Sequence, residues 1–278
     1  MSRGPSLDDV ILAAQDERGA FASFVASAGR EIDDRNGFIT ALVVRTLGHG
    51  QLPHRLHHAR QRALDYLERC ERRGAPGTFG FWPEEDRPPW APDLPADADD
   101  TAVIALELHR AGRRPLDWLR RVALTVLLPF RVAAPEIESE PAWIRPGVFR
   151  TWLAHRLPNP VDCVVNVNVM ALLASAGLAH IAAYRSASGM MDAALDWTGA
   201  PGGDRAVLRA PHRAALGAHA RDRLGGERPA ACAGTRDGVG TFRTAARSRS
   251  AGVLLGLRRG HVAIAGSAGR APGADGFD

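Results

Sequence analysis

Asp97-Ala98-Asp99-Asp100-Thr101-Ala102 decides the reading of this chain. Three carboxylates fall within four residues, directly ahead of the apolar run Val103-Ile104-Ala105-Leu106-Glu107-Leu108. That run predicts a helix and puts the carboxylates on its first turn, where free N–H groups and the helix dipole favour negative charge. On this basis Asp97 or Asp99 is an N-cap with acidic neighbours. Crowding adds a second meaning. Adjacent carboxylates cannot all ionise easily, so one keeps its proton near neutral pH and can act as a general acid. The six residues alone fit both readings.

Working outward, the stretch belongs to a threefold internal similarity. Gly19-Ala-Phe21-Ala-Ser-Phe24 precedes Asp33-Asp34-Arg35-Asn36-Gly37-Phe38. Gly77-Thr-Phe79-Gly-Phe81-Trp82-Pro83 precedes the Asp97 cluster. Gly147-Val-Phe149-Arg-Thr-Trp152 precedes Asp162-Cys163-Val164-Val165-Asn166-Val167-Asn168. Each unit is Gly-x-Phe-x-x-aromatic, a polar loop, an acid, then an apolar helix. The acids Asp34, Asp99 and Asp162 lie 65 and 63 residues apart. That period holds a helix pair plus a loop, and its recurrence predicts stacked units sharing one core.

The intervening pattern agrees. Apolar helices are expected over 36–48, 99–111 and 163–176, closed by Gly48, Gly112 and Gly177. One-sided partners follow each: His54 to Arg73 after Pro53, a second opened by Pro115, and Leu178 to Trp197. Nearly all-apolar first helices and amphipathic second ones are what an inner and an outer ring require. No strand alternation is visible, so the expected class is all-α, an α/α toroid or an incomplete arc of helical hairpins, over residues 1–200. The acids and amides heading the inner helices, Asp34, Asn36, Asp99, Asp162, Asn166 and Asn168, should then converge at one rim. The aromatics, Phe81 and Trp82 included, either lie near that rim or lock the repeats from within.

Composition bounds the rest. The 278 residues are 45% hydrophobic, enough for a sizeable core. All 35 basic residues are arginine, which reads as GC-rich coding. Residues 1–200 carry 22 Arg against 25 acids, whereas 201–278 carry 13 Arg against 6. A nucleic-acid partner is therefore not supported by the overall charge. Residues 201–278 also hold 15 of the 29 glycines and lack the aromatic repeat. They read as an aperiodic tail, either disordered or translated out of frame from about residue 205. The cysteines Cys70, Cys163 and Cys232 form no CxxC zinc pair. With no apolar leader or spanning run, a cytoplasmic protein is expected.

Asp97-Ala98-Asp99-Asp100-Thr101-Ala102 resembles the DxDDTA signature of class II terpenoid cyclases of the squalene–hopene type, and Gly77 to Pro83 resembles their aromatic repeat motif. The resemblance covers roughly residues 15–200. It implies an α/α toroid and a proton-initiated cyclisation of an isoprenoid, without metal or cofactor, in a dry aromatic-lined cavity. It implies Asp99 as the proton donor, with Asp97 and Asp100 as its tuning neighbours. Rim placement makes Phe81, Trp82, Asp162, Asn166, Asn168 and Asn36 candidates for contacting substrate, with hydrogen bonding to neighbouring helices or core locking as the competing role. Those cyclases are at least twice this length, set the cavity between two helical domains and carry a Gln-Trp ending absent here. A smaller isoprenoid or a partner chain, a homo-oligomer included, is then implied, and a hydrophobic substrate is compatible with peripheral membrane contact.

Other candidates compete less well. His54, His57 and His58 could share a helix face for a metal, but no acid or Cys completes a set. No DDxxD, P-loop, GxGxxG or GxSxG motif is present. Two further functional readings stand beside the cyclase: a non-catalytic toroid that binds a hydrophobic ligand or partner with its acids as caps, and an inactive truncated remnant.

Overall fold

The computed structural model describes residues 4–27, 30–134, 137, 140–155 and 159–199, together with residues 240–244 and 260–264. In chain order the elements are α1 (Leu7–Ala13), β1 (Ala22–Ser27), β2 (Arg30–Arg35), α2 (Gly37–Leu47), α3 (His54–Arg69), α4 (Ala98–Arg110), α5 (Leu116–Arg121), α6 (Cys163–Ser175), α7 (Ala182–Gly199), β3 (Gly240–Thr244) and β4 (Gly260–Ile264). A π-helical turn, Val122–Leu127, and a 3-10 turn, Leu128–Phe130, extend α5. The described residues are mostly helical.

The strands correct the strand-free expectation. β1 and β2 form an antiparallel hairpin that pairs Ala22 with Arg35 and Phe24 with Asp33. β1 also pairs with β3 at Val25 and Thr244, giving the order β2-β1-β3-β4. In β2 burial does alternate, but the fully buried position is Asp34, so the hydrophobic alternation that announces a half-buried strand is missing. Apart from β3 and β4, the reading of 201–278 as a disordered or out-of-frame tail lies outside the described residues.

Capping sets the register of the repeat. Asn36 Oδ1 accepts from Ile39 N at 2.8 Å, Asp97 Oδ1 from Asp100 N at 2.6 Å, and Asp162 Oδ1 from Val164 N at 2.6 Å. The equivalent N-caps are therefore Asn36, Asp97 and Asp162. The alignment of Asp34 with Asp99 and Asp162 is displaced: Asp34 lies in β2, two residues before its cap, and Asp99 is two residues inside α4. Four residues beyond each cap, a side chain accepts the backbone N–H of the Gly-x-Phe phenylalanine. Phe21 N donates to Thr40 Oγ1 at 3.1 Å, Phe79 N to Thr101 Oγ1 at 3.0 Å, and Phe149 N to Asn166 Oδ1 at 2.9 Å. The glycine ahead of each phenylalanine has positive φ: 97° at Gly19, 83° at Gly77 and 88° at Gly147. At Gly19 a Cβ would also collide with the Arg62 carbonyl, so only glycine fits.

Successive units are stitched through the backbone. Gly37 N, opening α2, donates to Phe81 O of the next unit at 2.8 Å, and Ala98 N, opening α4, donates to Thr151 O at 2.8 Å. α4 packs between α2 and α6, while α3, α5 and α7 pack against α2, α4 and α6 in turn. Arg45, in the last turn of α2, meets Glu107 in the last turn of α4 at 2.7 Å, so these helices run parallel. The core is continuous across them: Ile104, Leu106 and Leu108 of α4 join Leu64 and Leu67 of α3, Leu172 and Leu173 of α6, and the rings of Phe79 and Phe149. Each such side chain contributes roughly 1.5–3 kcal/mol through burial.

Candidate active site

The first turn of α4 presents three carboxyl groups in three environments. Asp97 is engaged as the cap through Oδ1. Asp100 is 1% exposed, and its Oδ2 has no hydrogen-bond partner. Asp99 is half-buried, so part of it remains open to solvent. Its Oδ1 accepts a hydrogen bond from Asn168 Nδ2 of α6 at 2.6 Å. α4 and α6 pack against each other, which brings Asp99, two residues past its cap, against Asn168, six residues past its own.

All three acids are held above the ordinary carboxylate range. For Asp99 burial comes first, then the charges of Asp97 and Asp162, while the Asn168 hydrogen bond and Arg45 oppose them; the result is about 8. Asp97 is pushed up to about 6 by burial, against hydrogen bonds from the backbone of Asp100 and Asp99. Asp100 is raised well above its usual value by burial, then by the charges of Asp97 and Asp99. Near neutral pH Asp99 is thus held mostly as the neutral acid, and burial favours the neutral form of Asp100 as well. Asp100 is sealed in the core, leaving Asp99 as the one that is both protonated and reachable.

The amide of Asn168 suits this role. Its Nδ2 hydrogen bond favours the carboxylate that remains after proton loss. Its Oδ1 is buried without a partner. Asp162 caps α6 and adds its charge from that side. Asn166, by contrast, is committed to structure: it bonds Phe149 through both amide atoms and also reaches Asp162 O.

Asn36, Phe81 and Trp82 belong to a separate assembly. Trp82 Nε1 donates to Asp34 Oδ1 at 2.8 Å, and Asn36 Nδ2 donates to Asp34 Oδ2 at 2.5 Å and to Ser23 Oγ at 2.9 Å. The Phe81 and Trp82 rings are buried edge to face, with Trp90 against Trp82. Among the described residues no hydrogen bond links this network to Asp99. The rim-wide convergence expected of the acids and amides therefore reduces to Asp97, Asp99, Asp100, Asp162 and Asn168.

Two cations escaped the sequence reading. Arg45 holds down Asp99, and Arg72 holds down Asp97 and Asp100. Arg45 was detectable as the one charged side chain in α2. Arg72 lies flat against Gly80, where a Cβ would overlap its guanidinium, and donates to Leu94 O at 3.3 Å. Nothing in the local sequence announces that position.

Among the described residues no three of His, Cys, Asp and Glu are placed to hold a metal, and no helix is long and apolar enough to cross a membrane. His54 and His58 pack edge to face at 4.5 Å, and His57 touches His58 at 6.2 Å. Comparison with family models, curated proteins and solved structures returns no match.

Proposed function

We propose that this chain is a terpenoid-cyclase-like enzyme built as an arc of an α/α toroid, in which Asp99 protonates an isoprenoid alkene. One observation carries the reading: within the Asp97–Asp100 group, Asp97 is engaged as the cap and Asp100 is sealed in the core, whereas Asp99 is half-buried and accepts the Asn168 hydrogen bond. In the proposed step the alkene π pair forms a new C–H bond with the Asp99 proton. Asp99 is left as a carboxylate, and a carbocation is left on the substrate. Further alkenes close rings by attacking that cation, and proton loss from carbon ends the sequence. A group with a pKa near 8 is a weak acid at rest, so transfer depends on stabilising its anion. The Asn168 amide, with its Nδ2 2.6 Å from Asp99 Oδ1, supplies that stabilisation.

The test is product formation from a linear isoprenoid by the native protein and by Asp99→Asn. The variant keeps the shape and the Asn168 contact, and it should yield no cyclic product while folding normally. Unchanged product would end the proposal.

A second reading is a non-catalytic toroid that binds a hydrophobic ligand or partner. It is favoured by the capping roles of Asp97 and Asp162, which account for those two acids without chemistry. It leaves the third and fourth buried carboxyls, Asp99 and Asp100, unexplained.

A further inference from the structure

The three inner helices are equivalent position by position, so each exposes or covers the same faces unless a neighbour is missing. Six, seven and ten residues beyond the cap, α4 carries Val103, Ile104 and Glu107, and α6 carries Asn168, Val169 and Leu172. All six are 2% exposed or less, because this face packs against the preceding unit. The same positions in α2 are Leu42 and Val43, both half-buried, and Thr46, which is exposed. The opposite face packs against the following unit. Five and eight residues beyond the cap, Ala41 and Val44 of α2 and Ala102 and Ala105 of α4 are fully buried. Their counterparts in α6, Val167 and Met170, are only half-buried. Val164, Ala171 and Ala174 continue the same half-exposed stripe, and every other residue from Val165 to Leu173 is buried.

We infer that a second copy of this chain docks head to tail, seating the open face of its α2 on the α6 stripe. The occupant follows from continuity. The stripe is the surface that α2 offers to α4 and α4 offers to α6, and the face those partners use recurs on α2 of every copy, where among the described residues it is only half-buried at Leu42 and Val43 and exposed at Thr46. The chemistry at the new contact is matched. Asp99 meets Asn168 at the α4–α6 contact; the corresponding pair across the copies is Val164 with Leu42, apolar on both sides. Ala171 likewise faces Thr46, where Arg45 faces Glu107 within the chain. Such a contact is heterologous, so two chains close into a ring of six units if the rotation per unit permits, and otherwise the assembly extends. The inference is independent of the chemistry at Asp99.

Thr46→Arg places a charge on the α2 face at an exposed position, and Ala171→Arg places one on the α6 stripe. The full-length protein and both variants would be measured by sedimentation and light scattering, with circular dichroism to confirm helix content. Ala174→Arg replaces Ala171→Arg if the latter loses helix. The expected result is an assembly of two or more chains for the native protein and monomers for each variant. An equimolar mixture of the two variants should recover pairs, because each variant retains the face the other has lost. A monomeric native protein overturns the inference, as it would if residues 200–278 covered the stripe within one chain. Loss of assembly on the α6 side alone also overturns it, since that marks contact between like faces. A failed cyclisation assay leaves the inference untouched.

Discussion

Asn168 reaches across from α6 to Asp99 on α4, placing its amide nitrogen 2.6 Å from a carboxyl oxygen whose acidity is suppressed by burial and by the charges of Asp97 and Asp162. Each of the two residues belongs to a different unit, so the candidate acid is completed only when the units stack.

The first prediction concerns Asn168. Replacing it with Leu preserves bulk and removes the donor that receives the Asp99 anion. Product formation should fall on the order of 100-fold, as when one preorganised donor is removed from a developing anion. The alkaline limb of the rate profile should move upward, because Asp99 loses a group that lowers its pKa. A purely structural Asn168 would change stability without moving that limb.

pH dependence gives the second prediction. Asp99 acts as a protonated acid, so kcat/KM should decline as pH rises through about 8. Asp99→Asn cannot show this limb.

Stability supplies the third, with the sign opposite to that of a salt-bridged acid. The folded-state pKa of Asp99 lies above its unfolded value. Folding is therefore favoured most below the unfolded pKa, near 3.8, and the advantage is lost as pH rises toward about 8. Asp97 adds to the trend up to about 6. Asp99→Asn should be more stable than the native protein at pH 8, with the gap shrinking toward pH 4. The gap opens by at most about 1.4 kcal/mol per pH unit. Thermal or urea unfolding across that range checks it, and a constant gap would show that Asp99 does not titrate anomalously.

The buried ion pair between α2 and α4 yields the fourth. Glu107→Ala leaves Arg45 without its 2.7 Å partner in a nearly dry contact, which should cost about 3–5 kcal/mol. The double variant Arg45→Met with Glu107→Leu should recover most of that loss, measured by urea unfolding.

Equivalence of the units can be tested by the fifth. Thr40→Val and Thr101→Val each orphan one phenylalanine N–H in the same geometry. Each should cost about 1–3 kcal/mol, and the two costs should be similar.

The helix pairs are legible in the sequence because apolar period, opening prolines and closing glycines all mark the same boundaries. α2, α4 and α6 fall within a residue or so of their expected limits. The register is less legible. Letters align Asp34 with Asp99 and Asp162, whereas hydrogen bonding aligns Asn36, Asp97 and Asp162, because Asn and Asp cap equally well. The hairpin is hidden for a related reason: its buried position is an acid, satisfied by Ser23 across the hairpin, by Asn36 two residues on and by Trp82 from the next unit. The clustering of Asp97, Asp99 and Asp100 at the head of α4 is legible from their spacing. Arg72 is not, since its influence depends on the bare backbone at Gly80 beneath its guanidinium.

The backbone stitches from Gly37 to Phe81 and from Ala98 to Thr151 give the chain the behaviour of a short one-dimensional stack. In a chain standing alone, an end unit can fray by breaking one seam, whereas the middle unit opens only by breaking two. Amide hydrogens of α4 should accordingly exchange last, and those of α2 and α6 earlier. The candidate acid then rides on the segment least given to local opening, and its unusual protonation survives fluctuations that loosen both ends of the molecule.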